Sequence, residues 1–286
     1  MAGRGAVRRP AVAGQFYPGN REALLRDIEK CYQGRLGPGV VPAVNEEGPR
    51  RLVGLVSPHA GYMFSGQTAA RGFAFMAQDG VPDTVVIIGP SHQLVTRASA
   101  AVQTEGAWET PLGLTSIDAE VAAGVAAACE GIAVGADFFW AEHSLEVQLP
   151  FLQHLYGENL KIVPVMMIDQ SAATARAVGQ AVGQALVGRN AVIVASTDLS
   201  HYVSPDAAAQ QDQLLIGQIT ALDPDGLVAL ARQPRMSMCG YGAVAAMLHA
   251  ARLLGASRAD VLGYSHSGMV QPMPEVVGYV SIAVLK

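Results

Sequence analysis

Residues 191–202 read AVIVASTDLSHY, and this stretch decides the fold. Its first half, residues 191–195, is an apolar run with no polar alternation. A strand of that kind is buried on both faces, so other layers must cover both sides of its sheet. The polar cluster Ser196-Thr197-Asp198-Leu199-Ser200-His201-Tyr202 follows at once. The same two-part pattern recurs upstream. The run 52–56 leads into Ser57-Pro58-His59-Ala60-Gly61-Tyr62, and the run 85–88 into Gly89-Pro90-Ser91-His92-Gln93. Runs 162–166 and 277–285 are further expected strands.

Helical patterns lie between these runs, near 66–77, 118–128, 143–156, 171–187, 206–221 and 241–254. Strand–helix–strand order predicts an α/β fold, a three-layer α/β/α sandwich around a mainly parallel central sheet. Residues 34–50, rich in Gly, Pro and charge, read as a surface loop. No composition break or internal repeat divides residues 1–286, so a single domain is expected.

In open α/β sheets the ligand crevice lies beyond the carboxyl ends of the strands. His59, His92, Asp198 and His201 are therefore expected to converge on one edge, although they are far apart in sequence. One histidine after a strand is an ordinary turn residue, but three at three strand ends point to a shared site. Cys239 is the fourth candidate. It lies in Met236-Ser237-Met238-Cys239-Gly240-Tyr241-Gly242, just before a helical run, where a helix N-terminus would stabilise a thiolate. Cys31 and Cys129 read as small buried hydrophobes.

The stretch Glu142-His143-Ser144-Leu145-Glu146-Val147-Gln148-Leu149-Pro150 reads as a helix start. Glu142 and Glu146, four apart, share a face: such a pair can serve acid/base chemistry or a metal, but a solvated first turn is the commoner arrangement and the expectation here, with His143 supporting the site from its edge. His154 and His249 read as helix residues, and His266 has no clear assignment. Phe16 and Tyr17 either line the mouth of the site, stacking on a planar ligand, or belong to the core of an N-terminal arm.

Composition bounds the function. The chain has 286 residues, 50% hydrophobic and 15% charged, which excludes a disordered chain. A formal net charge of −5 gives no broad attraction to nucleic acid or anionic membrane. No apolar run reaches the roughly 18 residues that span a bilayer, and no apolar segment of a secretory signal opens the chain. Three widely spaced cysteines argue against a disulfide framework and for a reducing, cytoplasmic setting. Phosphate-binding glycine loops, CxxC zinc spacing and HExxH are absent from the sequence.

Six ordered motifs together resemble the Memo family, whose prokaryotic members are named for the AmmeMemoRadiSam system. They are RPAVAGQFYP at 9–18, PHAGY at 58–62, GPSH at 89–92, EHSLEVQLP at 142–150, STDLSHY at 196–202 and MCGYG at 238–242. The family is similar to the LigB-type class III extradiol dioxygenases, which are non-haem iron enzymes. The resemblance implies metal binding by His59, His92 and Cys239, with iron or copper as the ion. It implies an acid/base role for His201, with Asp198 beside it to orient a water or add a fourth ligand. Gln93 stands where animal members carry a second histidine, Tyr202 where they carry Trp, and Tyr241 where they carry Arg. A small molecule or peptide is the implied partner, with Phe16, Tyr17, His143 and Gln93 as its expected contacts, and the family name implies a functional link to a radical SAM protein.

Imidazole suits Fe, Cu and Zn alike, while thiolate favours Cu(I) and Zn. A thiolate beside activated oxygen is itself oxidisable, which argues against ordinary ring cleavage. Three readings follow from such a ligand set: redox or oxygen chemistry at iron or copper, non-enzymatic holding and delivery of metal, and zinc-dependent hydrolysis.

Overall fold

The computed structural model describes residues 6–93 and 98–286. Its strands are β1 (Val7–Arg8), β2 (Leu52–Ser57), β3 (Thr84–Pro90), β4 (Ala100–Val102), β5 (Ala107–Thr110), β6 (Gly113–Ile117), β7 (Ala133–Val134), β8 (Lys161–Met167), β9 (Ala191–Ser196), β10 (His201–Val203), β11 (Arg258–His266) and β12 (Val276–Leu285). Its α-helices are α1 (Arg21–Gln33), α2 (Tyr62–Asp79), α3 (Ala119–Ala128), α4 (Leu149–Tyr156), α5 (Ala172–Leu186), α6 (Pro205–Thr220), α7 (Pro224–Ala231), α8 (Tyr241–Leu253) and α9 (Ser267–Val270).

The strands form one mixed sheet in the order β1-β5-β6-β8-β3-β9-β2-β12-β10, with β11 paired to β12 and β4 to β8 and β7. The centre, β6-β8-β3-β9-β2, is parallel throughout, as the unbroken apolar runs require. Antiparallel pairing is confined to the margins. Two of these pairs, β5–β6 and β11–β12, are also joined by short connections. Pro111 and Leu112 alone join β5 to β6, too few residues for a parallel crossover.

Helices cover both faces, and β2 shows it residue by residue. Leu55 touches the backbone of α2 at Gly72, where a Cβ would lie 2.8 Å from Leu55 Cδ1. Its neighbour Gly54 faces α8, where a Cβ would lie 2.4 Å from Met247 Sδ. Successive strand residues point to opposite faces, so α2 and α8 lie on opposite sides of the sheet. One hydrophobic core runs through both layers, from Tyr17 to Leu285. Among the described residues no helix is long and apolar enough to cross a membrane.

One local expectation is corrected. Residues 142–148 are not the first turns of a helix. They form an irregular turn and a 3-10 turn at Glu146–Gln148, and α4 begins only at Leu149. The helix α1 was also legible but unread: Asn20 caps it by accepting from Ala23 N, and Leu24, Ile28 and Cys31 share its buried face.

Candidate metal centre

Register brings the site together. In the parallel centre Ser57 pairs with Ser196 and Ile88 with Ala195, so β2, β3 and β9 end at one edge. His59 and His92 stand two residues beyond β2 and β3. Cys239 arrives from the other side of the chain, one residue before the N-cap of α8, Gly240. Donor atoms of His59, His92 and Cys239 all lie within 4.8 Å of one another. Cys239 Sγ is 3.1 Å from His59 Nε2, and the two imidazole rings meet edge to face with centroids 5.2 Å apart. His59 is buried, Cys239 is half-buried and His92 is exposed.

Hydrogen bonds settle which ring nitrogens carry protons. Ser196 Oγ donates its one proton to Ser144 O at 2.6 Å and accepts from Gln148 Nε2 at 2.8 Å. The 2.9 Å contact from Ser196 Oγ to His59 Nδ1 must then be a second acceptance, so His59 carries its proton on Nδ1. His92 Nδ1 faces a carboxylate oxygen of Glu142 at 2.9 Å and is likewise the donor. His201 Nδ1 lies 2.8 Å from Leu199 O and 2.9 Å from Ser237 O, two groups that only accept. All three rings therefore carry a proton on Nδ1, which leaves Nε2 as the nitrogen that faces away from these partners. Burial lowers the pKa of His59, and the neighbouring His143, His92 and His201 add to this, so its ring stays neutral.

Cys239 is tied to the end of β9. The Asp198 N–H donates to its sulfur at 3.2 Å, and Gln170 Nε2 holds its carbonyl at 2.7 Å while Gln170 Oε1 accepts from Gly242 N. Gly240 allows this approach, since a Cβ there would lie 2.3 Å from Ser196 O. The expected stabilisation of the thiolate by the helix end is overridden. Burial pushes the Cys239 thiol up, Asp198 adds to the push, and the Asp198 N–H only partly offsets it. A thiolate here needs a cation as partner.

The remaining candidates divide. Asp198 is buried, and its carboxylate accepts the His59 N–H at 2.8 Å. Burial raises its pKa against that hydrogen bond and against His201. This bond braces the His59 turn; beside the His59, His92 and Cys239 group lies a second cluster of donor side chains, His92, Glu142 and His143. His143 stacks on His92 with ring centroids 4.4 Å apart, meets the edge of His59 at 5.5 Å, and carries Phe16 against it at 4.8 Å. Tyr17 does not line the mouth: it is buried, and its hydroxyl donates to Glu146 Oε1 at 2.5 Å. Gln93 is exposed and bonded locally to Ser91. Residues 94–97 beyond it lie outside the described residues. His154, His249 and His266 belong to neither donor group.

The largest correction concerns the two acids. Glu142 and Glu146 are fully buried, not solvated. Glu146 receives the Arg8 guanidinium, the N–H groups of Ala11 and Val12, and the Tyr17 hydroxyl. Glu142 receives the backbone N–H of His92 at 2.6 Å, the His92 ring, and the Ser144 N–H at 2.7 Å. Burial pushes the Glu142 carboxyl up, but the bonds from His92 and Ser144 outweigh it and hold the pKa at about 2. Arg8 joins the two acids, since its second nitrogen donates to Glu142 O at 2.6 Å.

Fold and edge together define the class: a three-layer α/β protein whose parallel strands end in a His, His, Cys donor cluster. The chain belongs to the Memo-like protein family, whose model matches residues 8–283. It is 45% identical over 278 residues to a MEMO1 family protein of Methanopyrus kandleri, covering 96% of this chain and 98% of that one. It is 44% identical to a relative from Methanothermobacter thermautotrophicus, covering 97% of this chain and 100% of the other. An uncharacterized Escherichia coli K12 protein of known crystal structure shares the fold, with a TM-score of 0.54 and 14% identity, covering 82% of this chain and all of the other.

Proposed function

We propose that the protein binds a transition metal through His59 Nε2, His92 Nε2 and Cys239 Sγ, with iron or copper as the expected ion and zinc as the alternative. One observation carries this reading: three donors from three separate loops converge within 4.8 Å. The donor chemistry fits as well. Both imidazoles have Nδ1–H committed to Ser196 and Glu142, which leaves Nε2 lone pairs for an ion. Burial holds the bare thiol protonated, and a bound cation is what would draw the proton off.

When bound, the metal supplies Lewis-acid or redox chemistry at its open positions. The chain's own residues do the rest. His201, its Nδ1–H shared between two carbonyls, presents Nε2 as a proton acceptor. Phe16 and His143 shield the imidazole pair from water on one side. The soft sulfur favours a second reading, in which Cu(I) is held and passed on without turnover.

Elemental analysis of protein purified without added metal, followed by titration with Cu(I), Fe(II) and Zn(II), tests the reading. His59→Ala, His92→Ala and Cys239→Ser are each expected to weaken binding by more than the roughly 10–100-fold that loss of an outer partner costs. Affinity unchanged in all three overturns the site. His201→Ala is expected to keep the metal. Oxygen uptake that disappears in this variant favours the enzyme, tight Cu(I) binding with no turnover favours delivery, and zinc-dependent ester hydrolysis favours the hydrolase.

A further inference from the structure

Both imidazoles of the candidate centre are held by one segment that contributes no ligand to it. Glu142 accepts two bonds from His92, one from the backbone and one from Nδ1–H. Ser144 O and Gln148 together fix Ser196, the partner of His59 Nδ1. Gln148 also donates to Pro58 O, the residue before His59. The segment is anchored in turn: Ser144 Oγ donates to Pro90 O at 2.8 Å, and Arg8 pairs with Glu146. Gly89 leaves room for this docking, since a Cβ there would lie 2.7 Å from Ser144 Oγ.

The two supports differ in kind. His59 is enclosed by packing, and a neutral hydroxyl suffices to orient it. His92 is exposed at the rim, with His143 stacked on one face of its ring. Its backbone and ring are both committed to the same buried carboxylate, which fixes the loop and the ring in one rigid pair. Carboxylate–histidine pairs of this kind orient metal-binding imidazoles and raise their basicity.

We propose that Glu142 is the positioning residue of the centre: it locks His92 in the Nδ1–H form with Nε2 facing His59 and Cys239. The affinity part of this inference rests on the metal-binding reading, while the ring-proton part does not. In a glutamine at this position one oxygen becomes an NH₂ that faces a donor. His92 then loses either its backbone anchor or its fixed ring proton.

Nitrogen-15 NMR of the metal-free protein reads the ring directly. Recorded at a pH where the ring is neutral, His92 is expected with its proton on Nδ1, and a proton on Nε2 in place of Nδ1 overturns the proposal whatever any variant does. In Glu142→Gln, Zn(II) as the probe is expected to bind about 10–100-fold more weakly, with His92 shifted toward Nε2–H. Asp79→Asn is the control, because Asp79 is also buried and accepts two backbone N–H groups, from Arg51 and Leu52, at the opposite edge. Its zinc affinity is expected to equal that of the wild type. A folded Glu142→Gln protein that binds zinc as tightly as the wild type overturns the proposal. So does an equal loss in Asp79→Asn, which would reduce Glu142 to general stability. A wild type that binds no metal but keeps Nδ1–H on His92 ends the metal reading while leaving the ring assignment standing.

Discussion

Glu142 and Asp79 are both buried carboxylates that accept backbone N–H groups, yet they stand at opposite edges of the sheet and serve different ends. Asp79 ties the end of α2 to the start of β2, two consecutive elements of the chain. It accepts from Arg51 and Leu52 and pairs with Arg50, all within 29 positions of it. Glu142 links three elements and reaches an imidazole 50 positions away. The edges differ in the same sense. The amino edge holds a cavity of about 660 Å³ lined by Leu52, Leu186, Val187 and Leu253 with Arg50 and Arg189 at its rim. Its two arginines have close partners, Arg50 with Asp79 and Asn190, and Arg189 with Glu120. Both donor groups among the described residues lie at the carboxyl edge. A void marks where packing ends, whereas a site is marked by polar side chains from distant strands that complete each other.

Arg8 offers the hardest test of that contrast. Its ion pair with Glu146 is almost wholly out of water, and Trp108 covers the guanidinium at 4.5 Å. Arg8→Ala leaves the Glu146 charge buried without its cation, which costs about 3–5 kcal/mol. Arg176→Ala, which breaks a half-exposed pair with Asp225, should cost no more than about 1 kcal/mol. Urea unfolding curves measure both. Equal costs would mean that the acids at the carboxyl edge are held no differently from surface acids.

Gly240→Ala comes next. The added methyl meets the backbone of β9, where only the chain itself can yield. Overpacking of this kind costs about 1–3 kcal/mol. The Cys239 loop must lift from Asp198 N–H, so the expected loss of metal affinity exceeds what the stability change alone would produce. Parallel titration and unfolding experiments separate the two effects.

This wiring explains what the sequence made legible. The strands 52–57, 84–90 and 191–196 were readable because unbroken apolar runs report local burial. His59 and His92 were readable as a convergence because parallel strands must end together, whereas Cys239 was singled out by its place before a helix and joined to them by the family resemblance. Glu142 and Glu146 were not readable. An acid pair four residues apart looks the same whether it faces water or an arginine 138 positions earlier. Cys239 was misjudged electrostatically for a related reason: a helix end is a local feature, but the burial that overrides it comes from β9. Tyr17 shows both sides, for its place in an N-terminal arm was one of two readings, and only Glu146 decides between them.

Asp118 provides the smallest effect and the sharpest control, since it belongs entirely to the amino edge. It caps α3 by accepting from Val121 N, and it also accepts the Thr84 hydroxyl. Partial burial works to raise its pKa, but the bonds from Thr84 and Val121, with Lys161 and Arg189 nearby, bring it below the ordinary aspartate value. The folded state therefore holds this proton less tightly than the unfolded chain. The stabilisation is fully present above the ordinary aspartate range and is lost as pH falls through the lowered value. Asp118→Ala should cost about 1 kcal/mol at neutral pH, and less as the solution is acidified. Metal affinity should not change, because no bond of Asp118 reaches the 142–148 segment. If affinity did fall, the two edges would be coupled through β3, which runs from Thr84 to the His92 loop, and the separation drawn between local closure and long-range completion would fail at that strand.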